Sequence, residues 1–273
     1  MTQDLKRNLT EVEKEKPYSK YFYKAIANPN EELMEILKKG PMNSNKALSP
    51  ENISKLLEPG YDEVETGYCI LPNGAGYVAV NNKFPGVSID MINWWFAWHS
   101  LEDLRYMLWF RDGHYGISIS DEDRQKILNP ETSMLEKFQG RVHHVIEDTG
   151  NGPEDIQISF LTPEEIGFDS KELKEKNITV VCGNGLAQSR VGGPKSPAVM
   201  MHLFREVPGG VESRTRFWMG YNIIDKKLCK LIPDEVQLPI QAPMGLAFHN
   251  VEEYSNLAEI LPSLYREMNG EIN

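Results

Sequence analysis

The last long amphipathic stretch of the chain, residues 244–265, carries a histidine and a glutamate where apolar side chains are expected. Placed on a helix at about 100° per residue, Leu246, Leu257, Ile260, Leu261 and Leu264 form one stripe, and His249 and Glu253 fall on it. Burying an unpaired carboxylate is very costly, so a glutamate on a core-facing stripe demands a partner. A metal ion is one such partner. An i, i+4 pair sets imidazole and carboxylate roughly 6 Å apart on one face, within reach of a single cation. The plainer alternative, since the pattern is short, is a core histidine hydrogen-bonded to the glutamate.

Composition narrows the classes. The 273 residues are 40% hydrophobic and 25% charged, the balance of a soluble globular chain long enough to enclose a pocket. A formal net charge of -11 argues against a nucleic-acid partner and against an anionic membrane surface, since both need a basic face. The three cysteines, Cys69, Cys182 and Cys229, are far apart and form no C-x-x-C, which disfavours a disulfide framework and a thiolate zinc site. A polar N-terminus and the lack of a run of about 18 apolar residues lead us to expect a cytoplasmic protein without a membrane span. Oligomeric state is not fixed, and a homo-oligomer stays open.

Along the chain, residues 1–62 read as a helical appendage and 63–273 as the main domain. Residues 31–39 and 49–57 read as short helices, the second with Ser49 as cap and Pro50 in its first turn. Residues 68–80, broken by Asn73-Gly-Ala-Gly, suggest a hairpin. Residues 89–98, with Trp94, Trp95, Phe96 and Trp98, read as a buried helix continued in kind by 104–110. Strand-like runs then follow at 142–147, 156–161, 178–182, 199–207 and 216–224, joined by polar or glycine-rich links, which implies an antiparallel sheet. A long C-terminal helix packs across it, with Pro262 kinking that helix or marking its last third.

A Lewis-acid or hydrolytic metal site commonly needs three or four nitrogen and oxygen ligands. There are six histidines: His99, His114, His143, His144, His202 and His249. On an alternating strand His143, Val145 and Glu147 share one face and His144 and Ile146 the other, so an inward Glu147 would add a carboxylate to the His249–Glu253 pair. His114 follows Arg111-Asp-Gly at the end of an apolar segment, a loop position of the kind that often carries function. Against these stand plainer readings: His143 and His144 exposed on a strand, His114 a turn residue, His99 packed at the end of its helix, and the tryptophans in the core. No G-x-S-x-G elbow, G-x-G-x-x-G or Walker pattern is present.

Taken together, Asn93-Trp-Trp-Phe-Ala-Trp-His99, Asp103-Leu-Arg-Tyr-Met-Leu-Trp109 with His114, Val145-Ile-Glu-Asp-Thr-Gly, and Phe248-His-Asn-Val-Glu-Glu-Tyr resemble the diacetylphloroglucinol hydrolase and phloretin hydrolase family from about residue 60 onward. The resemblance implies an α+β, START-like helix-grip domain, an antiparallel sheet wrapped around a long C-terminal helix. It implies one zinc ion per chain, held by His114, Glu147, His249 and Glu253, with His99 and His143 competing for the first place. Tyr106 matches the family's pocket tyrosine, His202 a strand histidine near the substrate, and Phe217 or Tyr221 a further aromatic. With Glu147, Tyr106 and His202 would serve catalysis, and Trp98 and Phe217 would wall the cavity. Ile117 stands where the diacetylphloroglucinol enzyme has a polar pocket residue, which shifts the expected substrate toward phloretin.

The reaction so implied is hydrolysis of the carbon–carbon bond between an acyl group and a phloroglucinol ring, phloretin giving phloroglucinol and 3-(4-hydroxyphenyl)propionate. Another acylphloroglucinol is the alternative substrate. A non-catalytic carrier of hydrophobic ligands is the alternative class, one that would not require inward carboxylates.

Overall fold

In the computed structural model, which describes residues 5–272, successive strands between Val142 and Met219 each fold back onto the one before, through short turns except at 162–178, where two short helices intervene. The strands are β1 Gly67–Ile70, β2 Gly76–Pro85, β3 His114–Ile119, β4 Val142–Asp148, β5 Pro153–Leu161, β6 Thr179–Ser189, β7 Ser196–Val207, β8 Gly210–Met219, β9 Tyr221–Ile224 and β10 Lys227–Lys230. The first eight form one antiparallel sheet in the order β1-β2-β8-β7-β6-β5-β4-β3, and β9 and β10 pair apart from it. Pro208-Gly209 closes the β7–β8 hairpin, with Gly209 at φ 88° in the left-handed region that the residue after proline takes in such a turn.

The helices are α1 Glu11–Lys14, α2 Glu31–Lys38, α3 Ile89–Trp98, α4 Asp103–Phe110, α5 Asp121–Leu128, α6 Pro163–Ile166, α7 Ser170–Glu175 and α8 Gln241–Glu267. α8 lies against β1 and β2 and is flanked by α3 and α4. Its inner face, with Val251, Tyr254, Leu257, Leu261 and Leu264 all fully buried, follows the helical period expected for a core stripe. The helix runs on past Pro262, which falls in its last third.

Both faces of the sheet are covered. On one, the aromatic residues of α3 and α4 pack with α8 and with Leu9, Tyr18 and Tyr21. On the other, Ile53, Leu56 and Leu57, from a 3-10 turn spanning Pro50–Leu57, pack with Phe168, Leu173 and Trp218. β6 shows the alternation that makes this possible: Val180 faces the second cluster and Val181 the first. The N-terminal segment therefore contributes side chains to the cores of the main sheet. Arg214 and Arg216, buried on β8, ion-pair with Asp62 and Glu65 and fasten the end of that segment to the sheet.

Two sequence expectations change, and one helix has no counterpart among them. The run at 216–224 is two strands, because Gly220 takes φ 94° and donates to the Pro197 carbonyl, so β9 leaves the large sheet. His114 opens an edge strand rather than sitting in a loop. β3 is short and irregular, with a register shift between His114 and Gly116, and only its pairing with β4 makes it a strand. α5 had no apolar period to announce it; its Ser120 cap accepts from Asp123 N. Among the described residues, no helix is long and apolar enough to cross a membrane.

Candidate metal centre

Three elements bring the ligand set together. His114 is the first residue of β3, and its register partner on β4 is Glu147. His249 and Glu253 sit one turn apart on α8. One ligand atom from each of His114, Glu147 and His249 lies within 4.8 Å of the other two. His114 Nε2 is 3.3 Å from His249 Nε2 and 3.3 Å from Glu147 Oε2. Glu253 Oε2 lies 3.5 Å from His114 Nε2 and 3.8 Å from His249 Nε2. Gly113, just before β3, leaves the room this needs: a Cβ there would stand 2.8 Å from the Phe110 ring and 3.1 Å from His249 Cε1.

Electrostatics and surroundings fit a divalent cation. Burial lowers His114 and His249 to about 4, against the upward pull of Glu147 on the first and Glu253 on the second, so both imidazoles are neutral and hold a lone pair at neutral pH. Burial raises Glu253 to about 8, with Glu147 adding to the rise and His249 and Asn250 opposing it. Two neutral imidazoles and two carboxyls that repel each other once ionised make a mixed nitrogen and oxygen donor set that a cation stabilises. The His114–Glu147–His249 triad can hold a metal ion.

A shell of partners fixes these groups. The Tyr106 ring stacks on His114 at 4.3 Å between centroids and 6° between planes, and its hydroxyl donates to Glu147 Oε2 at 2.5 Å. Asn250 Nδ2 donates to Glu253 Oε1 at 3.0 Å, and Asn82 Nδ2 donates to Asn250 Oδ1 at 3.1 Å. Trp109 meets His114 edge to face at 5.3 Å, and Phe110 meets His249 at 5.5 Å.

The cluster opens into an inner cavity of about 70 Å³ with Phe96, Trp109, Phe160 and Phe217 among its walls. An outer chamber of about 260 Å³ adjoins it, with Glu147, Ile158, Met200, Phe217 and Leu246 in the walls of both. His202, on β7, also lines the inner cavity, its Nδ1 2.9 Å from Thr215 Oγ1. Burial lowers His202 to about 3. Tyr106 and Phe217 line it as well.

Two expected wall residues lie elsewhere. Trp98 is fully buried, stacked on Trp94 at 4.9 Å and capped by the Arg105 guanidinium at 4.5 Å; Trp109, the next tryptophan along, lines the cavity instead. Tyr221 is on β9, where its hydroxyl accepts from Asn73 Nδ2, outside both chambers. Ile117 packs against the aromatic core and lines neither chamber, so it offers no guide to acyl preference. His99 does pack on its helix, with Nδ1 2.8 Å from the Trp95 carbonyl, but it also lines the cavity. His143 is buried there rather than exposed; its place in the His143, Val145, Glu147 alternation was the signal for it.

The family model described as DAPG hydrolase PhiG domain matches residues 48–266. The chain belongs to the DAPG hydrolase family. Phloretin hydrolase of Eubacterium ramulus is 33% identical to it over 270 residues, covering 97% of this chain and 95% of the relative. Two proteins named 2,4-diacetylphloroglucinol hydrolase, from a Pseudomonas species and from Pseudomonas protegens, are each 33% identical over 266 residues, covering 92% of this chain and 88% and 84% of their own. The family is enzymatic, and the relatives named here are hydrolases.

Proposed function

We propose that this protein hydrolyses the carbon–carbon bond between an acyl group and a phloroglucinol ring, with zinc as its ion, Glu253 as fourth ligand, and phloretin as substrate. The reading rests on one observation: a buried His114–Glu147–His249 cluster opens into an aromatic-walled cavity, in a member of this family. The similarity to phloretin hydrolase along nearly the whole of both chains supports the choice of phloretin as first substrate. The long α8 against an antiparallel sheet supports a START-like helix-grip arrangement, with residues 1–62 as its appendage.

The bond is cleavable because hydroxyls ortho and para to the acyl group let the ring accept a proton at carbon. Water then adds to the acyl carbonyl, and the ring departs as a stabilised enolate, giving phloroglucinol and 3-(4-hydroxyphenyl)propionate. A bound divalent cation supplies Lewis acidity and lowers the pKa of water. His202, kept neutral by burial and anchored through Nδ1, is placed to hydrogen-bond a substrate oxygen or the attacking water from the cavity wall. Tyr106 keeps its proton, because burial and Glu147 raise it well above the ordinary phenol value; it therefore donates, orienting Glu147. Phe96, Phe160 and Phe217 exclude bulk water, which strengthens each polar contact inside.

The test is incubation of metal-quantified protein with phloretin, with phloroglucinol release followed by chromatography. Release that stops on chelation and returns with zinc is expected. Bound metal without release would reject the substrate, and protein that neither binds metal nor turns over would reject the reading.

A further inference from the structure

The inner cavity has two polar regions, and the scheme above uses mainly the one at the ligand cluster. The other is built from His143 and His99. His143 precedes Glu147 by four residues on the same face of β4, which sets their Cα atoms about 13 Å apart along the strand. Its ring packs 4.6 Å from Phe160 and 5.8 Å from His99, centroid to centroid. All three residues line the cavity.

Both histidines are fixed as neutral hydrogen-bonding groups. His99 Nδ1 meets a carbonyl, which can only accept, so Nδ1 carries the proton and Nε2 keeps its lone pair. His143 Nε2 is buried and has no hydrogen-bond partner. Burial holds both rings below the ordinary histidine pKa. A buried polar atom left unpaired costs free energy, and in native proteins it calls for a reason. The Trp109 Nε1, from another wall residue of the same cavity, is also without a partner.

We propose that His143, backed by His99, recognises a hydroxyl on the phenolic ring of the substrate, at the side of the ring away from the acyl group. A phenolic hydroxyl both donates and accepts, so it can satisfy His143 Nε2 in either tautomer, and the lone pair on His99 Nε2 can accept from it. A ring whose acyl end lies at the ligand cluster directs its para hydroxyl away from that cluster, toward His143. This requirement selects a ring with a hydroxyl para to the acyl group over one without it. An apolar wall could not make that selection, because only a site built to bond a hydroxyl loses a partner when the hydroxyl is missing. The inference rests on the ring chemistry of the proposed function, not on the identity of the acyl arm.

The test uses two rings whose carboxylate stands in for the acyl group and leaves no ketone to hydrolyse: 2,4,6-trihydroxybenzoate and 2,6-dihydroxybenzoate, which lacks only the para hydroxyl, titrated calorimetrically into the metal-loaded protein. Wild type should bind the trihydroxylated ring roughly tenfold more tightly, the worth of one buried hydrogen bond. His143→Phe should bring the ratio close to one, and His143→Gln, which keeps polar atoms at the position, should restore part of it. If His143→Phe does not fold, the smaller His143→Leu takes its place. An unchanged ratio in a folded variant without the imidazole overturns the proposal, as does a wild-type ratio near one. Phloretin turnover is measured on the same samples. A protein that does not turn over but whose ratio collapses in the variant would lose the reaction assignment and keep the ring site; a protein that turns over with the ratio unchanged would do the reverse.

Discussion

His114 and Glu147 are register partners across β3 and β4, and His114 Nε2 lies 3.3 Å from Glu147 Oε2. The strand ladder thus sets the spacing of two ligand groups. Register is a strong constraint here, because a slip of one residue would turn His143, Val145 and Glu147 outward and bring His144 and Ile146 in. The third group, His249, comes from α8, so the cluster forms only when helix and sheet edge are both in place.

Removing a ligand group should abolish metal retention while leaving the fold. His114→Ala and Glu253→Ala are expected to fall from about one metal per chain to near none after dialysis, with far-ultraviolet circular dichroism unchanged and no turnover. Elemental analysis of the dialysed proteins checks this. A metal-replete, active Glu253→Ala protein would remove Glu253 from the set.

Tyr106→Phe keeps the ring stacked on His114 and deletes only the donor to Glu147. Groups that orient ligands typically contribute 10–100-fold to metal affinity or activity, and a loss of that order is expected. Competition with a chromophoric chelator measures the affinity directly.

Gly113→Ala would press a methyl group against the Phe110 ring and toward His249. Overpacking of this kind costs typically about 1–3 kcal/mol, and the displacement of His249 should weaken metal binding as well. Denaturant unfolding gives the first effect and metal titration the second. Full stability with unchanged metal affinity would show that Phe110 yields without moving His249.

Glu65 gives the pH dependence a worked case. Burial pushes its carboxyl up, but the Arg214 hydrogen bond, with the Arg216 and Arg214 charges, pulls it down to about 2. A pKa depressed in the folded state means stability that is fully present above the unfolded value near 4.5 and is lost as pH falls toward 2. The loss should be on the order of 2–3 kcal/mol. Glu65→Gln should be less stable than wild type at pH 7, and the two stability curves should converge near pH 2; curves that stay parallel would show that this carboxylate is not the group responsible.

The sequence by itself determined what a single element can encode. The helical period put His249 and Glu253 on one buried face of α8, the period-two alternation put His143 and Glu147 on one face of β4, and the tryptophan-rich run formed α3 over the residues expected. Each of these is a short-range regularity, fixed by backbone geometry within a few residues. Tertiary structure decided the rest. His114 became a strand residue by pairing with β4, Trp109 took the cavity wall while Trp98 went to Arg105, and the left-handed turn at Gly220 carried Tyr221 away from the site. Those outcomes depend on which distant segment fills the space beside a residue, and local periodicity carries no record of that neighbour.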